Sequence, residues 1–177
     1  MTHDRPRVRL SGIPDGYAGT KAILDDMRRL AVEALSDERV HQLARQITFP
    51  CPARDFRCEA ATLLRWLHRT FRYTRLPWHP SGLQRVQAPA YTLFEAPTRT
   101  GECASLSTAL AALLMASGFA CAFRTGGTDP RDHRFFEHVW VLCEVPDVGW
   151  IAADPSYEHG LGWEHPATCV RQDWVIQ

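Results

Sequence analysis

Lysine is nearly missing from this chain: Lys21 is the single example, and the other basic residues are arginines. That bias reads as GC-rich codon usage rather than as function. A charge excess is missing too. Twenty Lys plus Arg balance twenty Asp plus Glu over 177 residues, so there is no basic footprint calling for nucleic acid. No apolar run is long enough to span a bilayer, the stretch around Leu106–Met115 being short and interrupted, so no membrane partner is expected. The first dozen residues, MTHDRPRVRLSG, lack the apolar core of a secretory signal. The expectation is therefore a cytoplasmic, reducing setting in which the six cysteines are thiols rather than a disulfide framework. Ligand-type spacing is absent as well. Cys51 and Cys58, with His41 and His68 on either side, do not match a zinc pattern, and read as core or surface thiols. No acidic loop has EF-hand spacing. Neither a metal nor a cofactor is expected.

What is present describes an ordinary globular chain, 45% hydrophobic and 23% charged, of a size that suits one core. Residues 1–19 read as a flexible arm and residues 20–177 as one domain without repeats. From Thr20, Ile23, Met27, Leu30 and Ala34 recur at helical steps. Ser36 or Asp37 can cap a second helix bearing Val40, Leu43, Ala44 and Ile47. Asp55 starts a third, whose apolar stripe runs from Phe56 through Leu63, Leu64 and Leu67 to Phe71. The arginines of the first and third helices read as solvated faces. Residues 72–100 form a proline-rich stretch leading into Gly101, and read as a functional wall.

The second half carries the chemistry. Glu102–Ser117 reads as a helix with Leu106, Leu110, Leu113 and Leu114 on a buried face, and Gly118 fits its C-terminal stop. Phe119, Cys121 and Phe123 alternate as in a strand, and a polar loop, Thr125–Arg134, follows. Val139–Val145 and Trp150–Asp154 read as two strands joined by the turn 146–149. Cys103 lies in the first turn of its helix, where free N–H groups and the helix dipole favour thiolate, the nucleophilic form. His138 begins one strand of the hairpin and Asp154 ends the other. A turn centred near residue 146 or 147 places them opposite, or one diagonal apart on the same face. An aspartate so placed can orient a histidine whose other nitrogen meets the thiol. Trp140 shares the face of His138, with packing the main role and substrate contact the alternative. Cys121, Cys143 and Cys169 read as structural. His133, His159 and His165 read as surface residues, although the last two, beside Trp163, could line a cleft.

The segment Gly101-Glu-Cys-Ala-Ser-Leu-Ser-Thr-Ala-Leu resembles the cysteine-helix motif of the transglutaminase-like superfamily. His138-Val-Trp140 and Gly149-Trp150-Ile-Ala-Ala-Asp154-Pro155-Ser156 resemble its histidine and aspartate motifs, in order and spacing. A fainter likeness, through Gly19-Thr20 and Phe71-Arg72-Tyr73, is to compact prophage-encoded members. The resemblance implies an α+β, papain-like core in which N-terminal helices and the Cys103 helix pack on an antiparallel sheet. It also implies a triad of Cys103, His138 and Asp154. Two positions depart from the pattern. Leu142 stands where many relatives have an acid, and Pro97 stands where papain-type enzymes have an oxyanion glutamine. Gln84 and Gln87 are the upstream candidates for that place, and the Cys103 N–H should supply one oxyanion donor. The function so implied is thiol-dependent acyl transfer on a peptide or protein substrate, with hydrolysis of a peptide-like amide favoured. The rival is a degenerate scaffold that binds a partner, such as a structural protein in a phage particle, which would make it virion-associated.

Overall fold

In the computed structural model of the protein, residues 8–12, 16–75, 83–132, 134 and 136–176 are described. Three helices come first: α1 (Tyr17–Ala34), α2 (Glu38–Thr48) and α3 (Phe56–Thr70). Asp37 caps α2 by accepting from the Arg39 N–H at 3.1 Å, and Asp55 caps α3 by accepting from the Cys58 N–H at 2.9 Å. Such caps satisfy donors that a helix start leaves open. Within the stretch read as an arm, Val8–Gly12 is a strand, β1, and α1 begins three residues ahead of Thr20.

A short ribbon follows α3. Its strand β2 (Arg72–Tyr73) pairs in parallel with β4 (Thr100–Gly101), while β3 (Leu83–Gln87), between them in sequence, pairs with β1. A π-helical turn at Tyr91–Glu95 gives the proline-rich segment structure of its own. Next comes α4 (Cys103–Ala116), the centre of the molecule. Every residue from Ala104 to Leu114 is buried, not only the leucine face expected from periodicity. A helix that is apolar all round must be enclosed, and α1, α2 and α3 cover one side while the sheet covers the other. Its hydroxyls find partners. Ser107 donates to the Val139 carbonyl at 3.1 Å and Thr108 to the Ala104 carbonyl at 2.7 Å. Gly118, at φ +92°, takes the left-handed conformation that ends the helix.

The main sheet contains β5 (Cys121–Gly127), β6 (His138–Val145), β7 (Gly149–Ala153) and β8 (Val170–Val175) in the order β7-β6-β5-β8, all antiparallel. Strand β5 thus continues through Thr125–Gly127, where the sequence suggests the start of a loop, because β6 pairs with it as far as Gly126 and β8 as far as Gly127. His133 lies outside the described residues. The expectation of six thiols is corrected at one pair: Cys51 and Cys58 form a disulfide, their Cα atoms 5.8 Å apart. The chain between the two helices folds back through Arg54, at φ +64°, and brings Cys51 against the first turn of α3. The other four cysteines are free. No helix among the described residues is long and apolar enough to cross a membrane.

Candidate active site

Three elements converge on one point. Cys103 is the first residue of α4 and half-buried. In the β6–β7 hairpin, Val141 faces Ala153 and Leu142 faces Ala152. Extending that register puts Asp154 opposite Trp140 and one diagonal from His138, on the same face. The diagonal is closed by a hydrogen bond: His138 Nε2–H donates to Asp154 Oδ2 at 2.7 Å. The Cys103 side chain is the ring's second electrostatic partner and, with Asp154, raises the His138 pKa. Cysteine, histidine and aspartate are therefore gathered around one imidazole, although they come from a helix, a strand and a strand end.

The aspartate is held from three directions. Its side chain is 3% exposed. Oδ2 accepts from His138, and Oδ1 accepts from the Ser156 N–H at 2.8 Å. Its main-chain carbonyl accepts from His68 Nε2–H on α3 at 2.9 Å. A carboxylate with both oxygens engaged keeps its rotamer, and with it the orientation of the imidazole. Burial alone would push the His138 pKa down. The hydrogen bonds and charges of Asp154 and Cys103 outweigh burial and raise it from 6.5 to about 9. The ring thus carries its proton at neutral pH.

Aromatic residues surround the imidazole. Trp140 stacks on it at 5.5 Å between centroids, and Tyr157 meets it edge-on at 5.4 Å. Trp140 is 1% exposed and donates from Nε1 to Glu164 at 3.1 Å. It is thus a buried floor beneath His138, without a surface for substrate. Glu164 is fixed in turn by Arg124 at 2.9 Å. The floor also requires Gly126, where an added Cβ would lie 2.6 Å from the indole ring. Across the site, Tyr73 stacks on Tyr157 at 6.5 Å. Burial and the nearby Cys103, Tyr157 and Asp154 charges raise the Tyr73 pKa to about 12, so its hydroxyl stays protonated beside the thiol.

Gln87 is brought to the first turn of α4. Its N–H donates to Ser105 Oγ at 3.1 Å, and its side-chain carbonyl accepts from Thr92 Oγ1 at 3.1 Å, leaving the amide NH₂ as the free donor end. The side chain of Gln84 lies outside the described residues. His159 and His165 belong to an aromatic cluster: His159 stacks on Trp163 at 4.0 Å, and His165 lies 5.6 Å from Tyr157. In the sequence, His68 comes up only as a possible metal ligand and Tyr73 only as part of a family likeness, and Tyr157 and Glu164 do not come up. The signal for His68 was its place one turn beyond Leu64 on the inner face of α3. Tyr157 and Glu164 had none, because a loop tyrosine and a lone glutamate carry no periodicity.

A profile of the transglutaminase-like superfamily matches residues 41–155, well over half of the chain. The chain belongs to the transglutaminase-like superfamily. It is also 32% identical over 108 residues to a protein-glutamine gamma-glutamyltransferase of Pseudomonas aeruginosa, across 56% of this chain but only 15% of that much longer relative. Two solved structures share the fold at low identity. A proposed protease from Parabacteroides distasonis superposes with a TM-score of 0.57 at 13% identity, over 87% of this chain and 31% of that one. A proposed cysteine protease from Cytophaga hutchinsonii does so at 0.50 and 15%, over 77% of this chain and 46% of that one. The mixed helix and antiparallel-sheet architecture is thus that of a transglutaminase-like, papain-like fold, a family of cysteine-based enzymes.

Proposed function

We propose that the protein is a thiol-dependent acyl-transfer enzyme that hydrolyses a peptide-like amide or ester, with Cys103, His138 and Asp154 as its triad. The observation that carries this reading is the hydrogen bond between His138 and the buried Asp154 carboxylate, with Cys103, at the start of α4, near enough to help raise the His138 pKa. Cys103 Sγ attacks the substrate carbonyl carbon, and the oxygen takes up the negative charge. At the first residue of α4 the Cys103 N–H has no partner within the helix, so it can donate to that oxyanion. The Gln87 amide is the candidate second donor. As the C–N bond breaks, His138 gives its proton to the departing amine and leaves a thioester on Cys103. A water molecule then attacks the thioester, returning one proton to His138 and releasing the acid. Asp154 orients the ring and stabilises its charged form throughout.

A second reading has its own support. The Pseudomonas aeruginosa relative is named a gamma-glutamyltransferase, and in a transferase an amine would replace water in the second step. A peptidyl ester assay with added primary amines separates the two. Turnover indifferent to amine, with acid as product, supports hydrolysis, while faster turnover with amide product supports transfer. The reading of a non-catalytic scaffold for a phage or other partner is met by the same assay. It would replace ours if wild type and Cys103→Ala were equally silent and Cys103 ignored small electrophiles.

A further inference from the structure

A cleft of about 790 Å³ lies next to the triad residues, with His68 in its lining and Cys103 outside it. That volume falls within the roughly 300–1,000 Å³ usual for ligand sites. Its wall is built from one face of α3, the outer side of the β2–β4 ribbon, and residues 158–161. Four arginines line it, Arg65, Arg69, Arg72 and Arg99, against a single carboxylate, Glu158. In a chain with a formal net charge of zero, this is a local concentration of positive charge.

The cations are also uncommitted. Elsewhere Arg28, Arg45, Arg124 and Arg131 each meet a carboxylate. Arg65, Arg69 and Arg72 form no ion pair among the described residues. Arg99 donates to the Leu93 carbonyl at 2.9 Å and lies over the Phe71 ring at 5.4 Å, contacts that fix it without neutralising it. Arg65 and Arg69 are one turn apart on α3, so their guanidinium groups share a face. Read alone they are a solvated helix face; joined by Arg72 and Arg99 from other elements, they are one side of a concavity.

The cleft shares its walls with the triad. Arg72 lines it, while the next residue, Tyr73, stacks on Tyr157 on the thiol side, as successive strand residues do. Tyr157 is followed by Glu158 and His159, which return to the cleft. His68, also in the lining, donates to the Asp154 carbonyl. The Tyr73–Tyr157 pair and His68 thus connect the cleft wall to the residues around the triad.

We infer that this cleft is the subsite for an acidic stretch of the peptide substrate, carrying Asp or Glu side chains a few residues from the scissile bond. The name subsite rests on the acyl-transfer reading, whereas acidic-peptide binding does not. Spread over three elements and facing water, the arginines suit several carboxylates along an extended chain better than one compact anion.

The test uses the whole chain and two fluorescein-labelled peptides, hexaglutamate and hexaglutamine, followed by fluorescence anisotropy. Hexaglutamate should bind at least about tenfold more tightly than hexaglutamine, and should weaken as salt rises. The double variant Arg65→Gln/Arg69→Gln should lose about tenfold in hexaglutamate affinity. Its circular dichroism and its rate of Cys103 alkylation by iodoacetamide should stay unchanged. Arg72→Gln serves as an independent variant from another wall. In parallel, an iodoacetyl-hexaglutamate reagent should alkylate Cys103 faster than its glutamine counterpart, an advantage lost in the double variant. Equal binding of the two peptides, undiminished binding in both arginine variants, or displacement by a single-stranded oligonucleotide at lower concentration would overturn the assignment. Arginine-dependent binding with an unreactive Cys103 would uphold the cleft and remove the acyl-transfer reading. A reactive Cys103 without acidic preference would do the reverse.

Discussion

Replacing Asp154 with Asn keeps the shape of the side chain and removes the charge that faces His138. In the native arrangement the imidazole titrates at about 9 rather than 6.5. At pH 8 about nine tenths of it is then protonated, against a few per cent at an ordinary value. Without the carboxylate, burial pushes the ring toward the neutral form, and only Cys103 remains to oppose it. Two measurements follow. The His138 ring, observed by NMR in protein labelled at histidine, should titrate near 9 in wild type and at least one unit lower in the variant. Turnover of a peptidyl ester should fall by something on the order of 10²–10⁴.

Stability should change with pH in a defined direction. His138 has a raised folded-state value, so its contribution is fully present below about 6.5 and is lost as pH climbs through about 9. The whole shift corresponds to at most roughly 3 kcal/mol, and Cys103 supplies part of it. The gap in unfolding free energy between wild type and Asp154→Asn should therefore be widest below pH 6.5 and close by pH 9. A wild-type ring that titrates near 6.5, or a stability gap that grows with rising pH, would refute this account of the site.

Gly126→Ala should force the Trp140 ring away from its place beneath His138, because the new methyl would lie 2.6 Å from it. A cost of about 1–3 kcal/mol in denaturant unfolding is expected, with slower iodoacetamide labelling of Cys103, and an unchanged protein would rule out the floor. His68→Ala should leave the Asp154 carbonyl without its α3 donor and lower kcat more than it raises KM, whereas His68→Gln, which can still donate, should recover part of the loss. Replacing both Cys51 and Cys58 with Ser should cost about 2–3 kcal/mol of stability through the lost cross-link, yet leave Cys103 alkylation untouched. A change in the Cys103 rate would show that the disulfide acts on the site.

The hairpin was legible because its turn carries its own chemistry. Pro146, Asp147 and Gly149 mark the bend, Asp147 and Gly149 adopt positive φ, and once the bend is placed the register follows by counting. The helix of Cys103 was legible from its leucines, but its complete enclosure was not. A run of Ala, Ser and Thr between leucines reads as a polar-leaning face until the Val139 carbonyl is there to receive Ser107. Strand β8 is hard to read because its sequence, VRQDWV, sets three polar residues, Arg171, Gln172 and Asp173, in a row. That is the habit of an edge strand, and it looks like a loop beside prolines and glycines. The disulfide was missed for a different reason: compartment was used as a guide to cysteine chemistry, whereas the loop geometry at Cys51 decides the pairing.

Gly126 shows how one residue can be misread locally and still be required globally. The pair Gly126-Gly127 in sequence suggests the end of a strand, yet Gly126 pairs on two sides within the sheet and Gly127 pairs with Val170 of β8. What glycine provides is room. Position 126 faces His138 across the ladder, and the indole of Trp140 lies over it, stacked on the imidazole and anchored to Glu164. Glu164 is bridged to Arg124, two residues earlier on the same strand as Gly126. A bare backbone, a buried indole and an ion pair thus form successive layers under one ring. This explains why the hairpin alone could predict that His138 and Asp154 meet, but not what holds them at 2.7 Å. Pairing is a property of two strands and is written in their turn. Rigidity comes from side chains contributed by β5, α3 and the segment before β8, elements remote in sequence that carry no common motif.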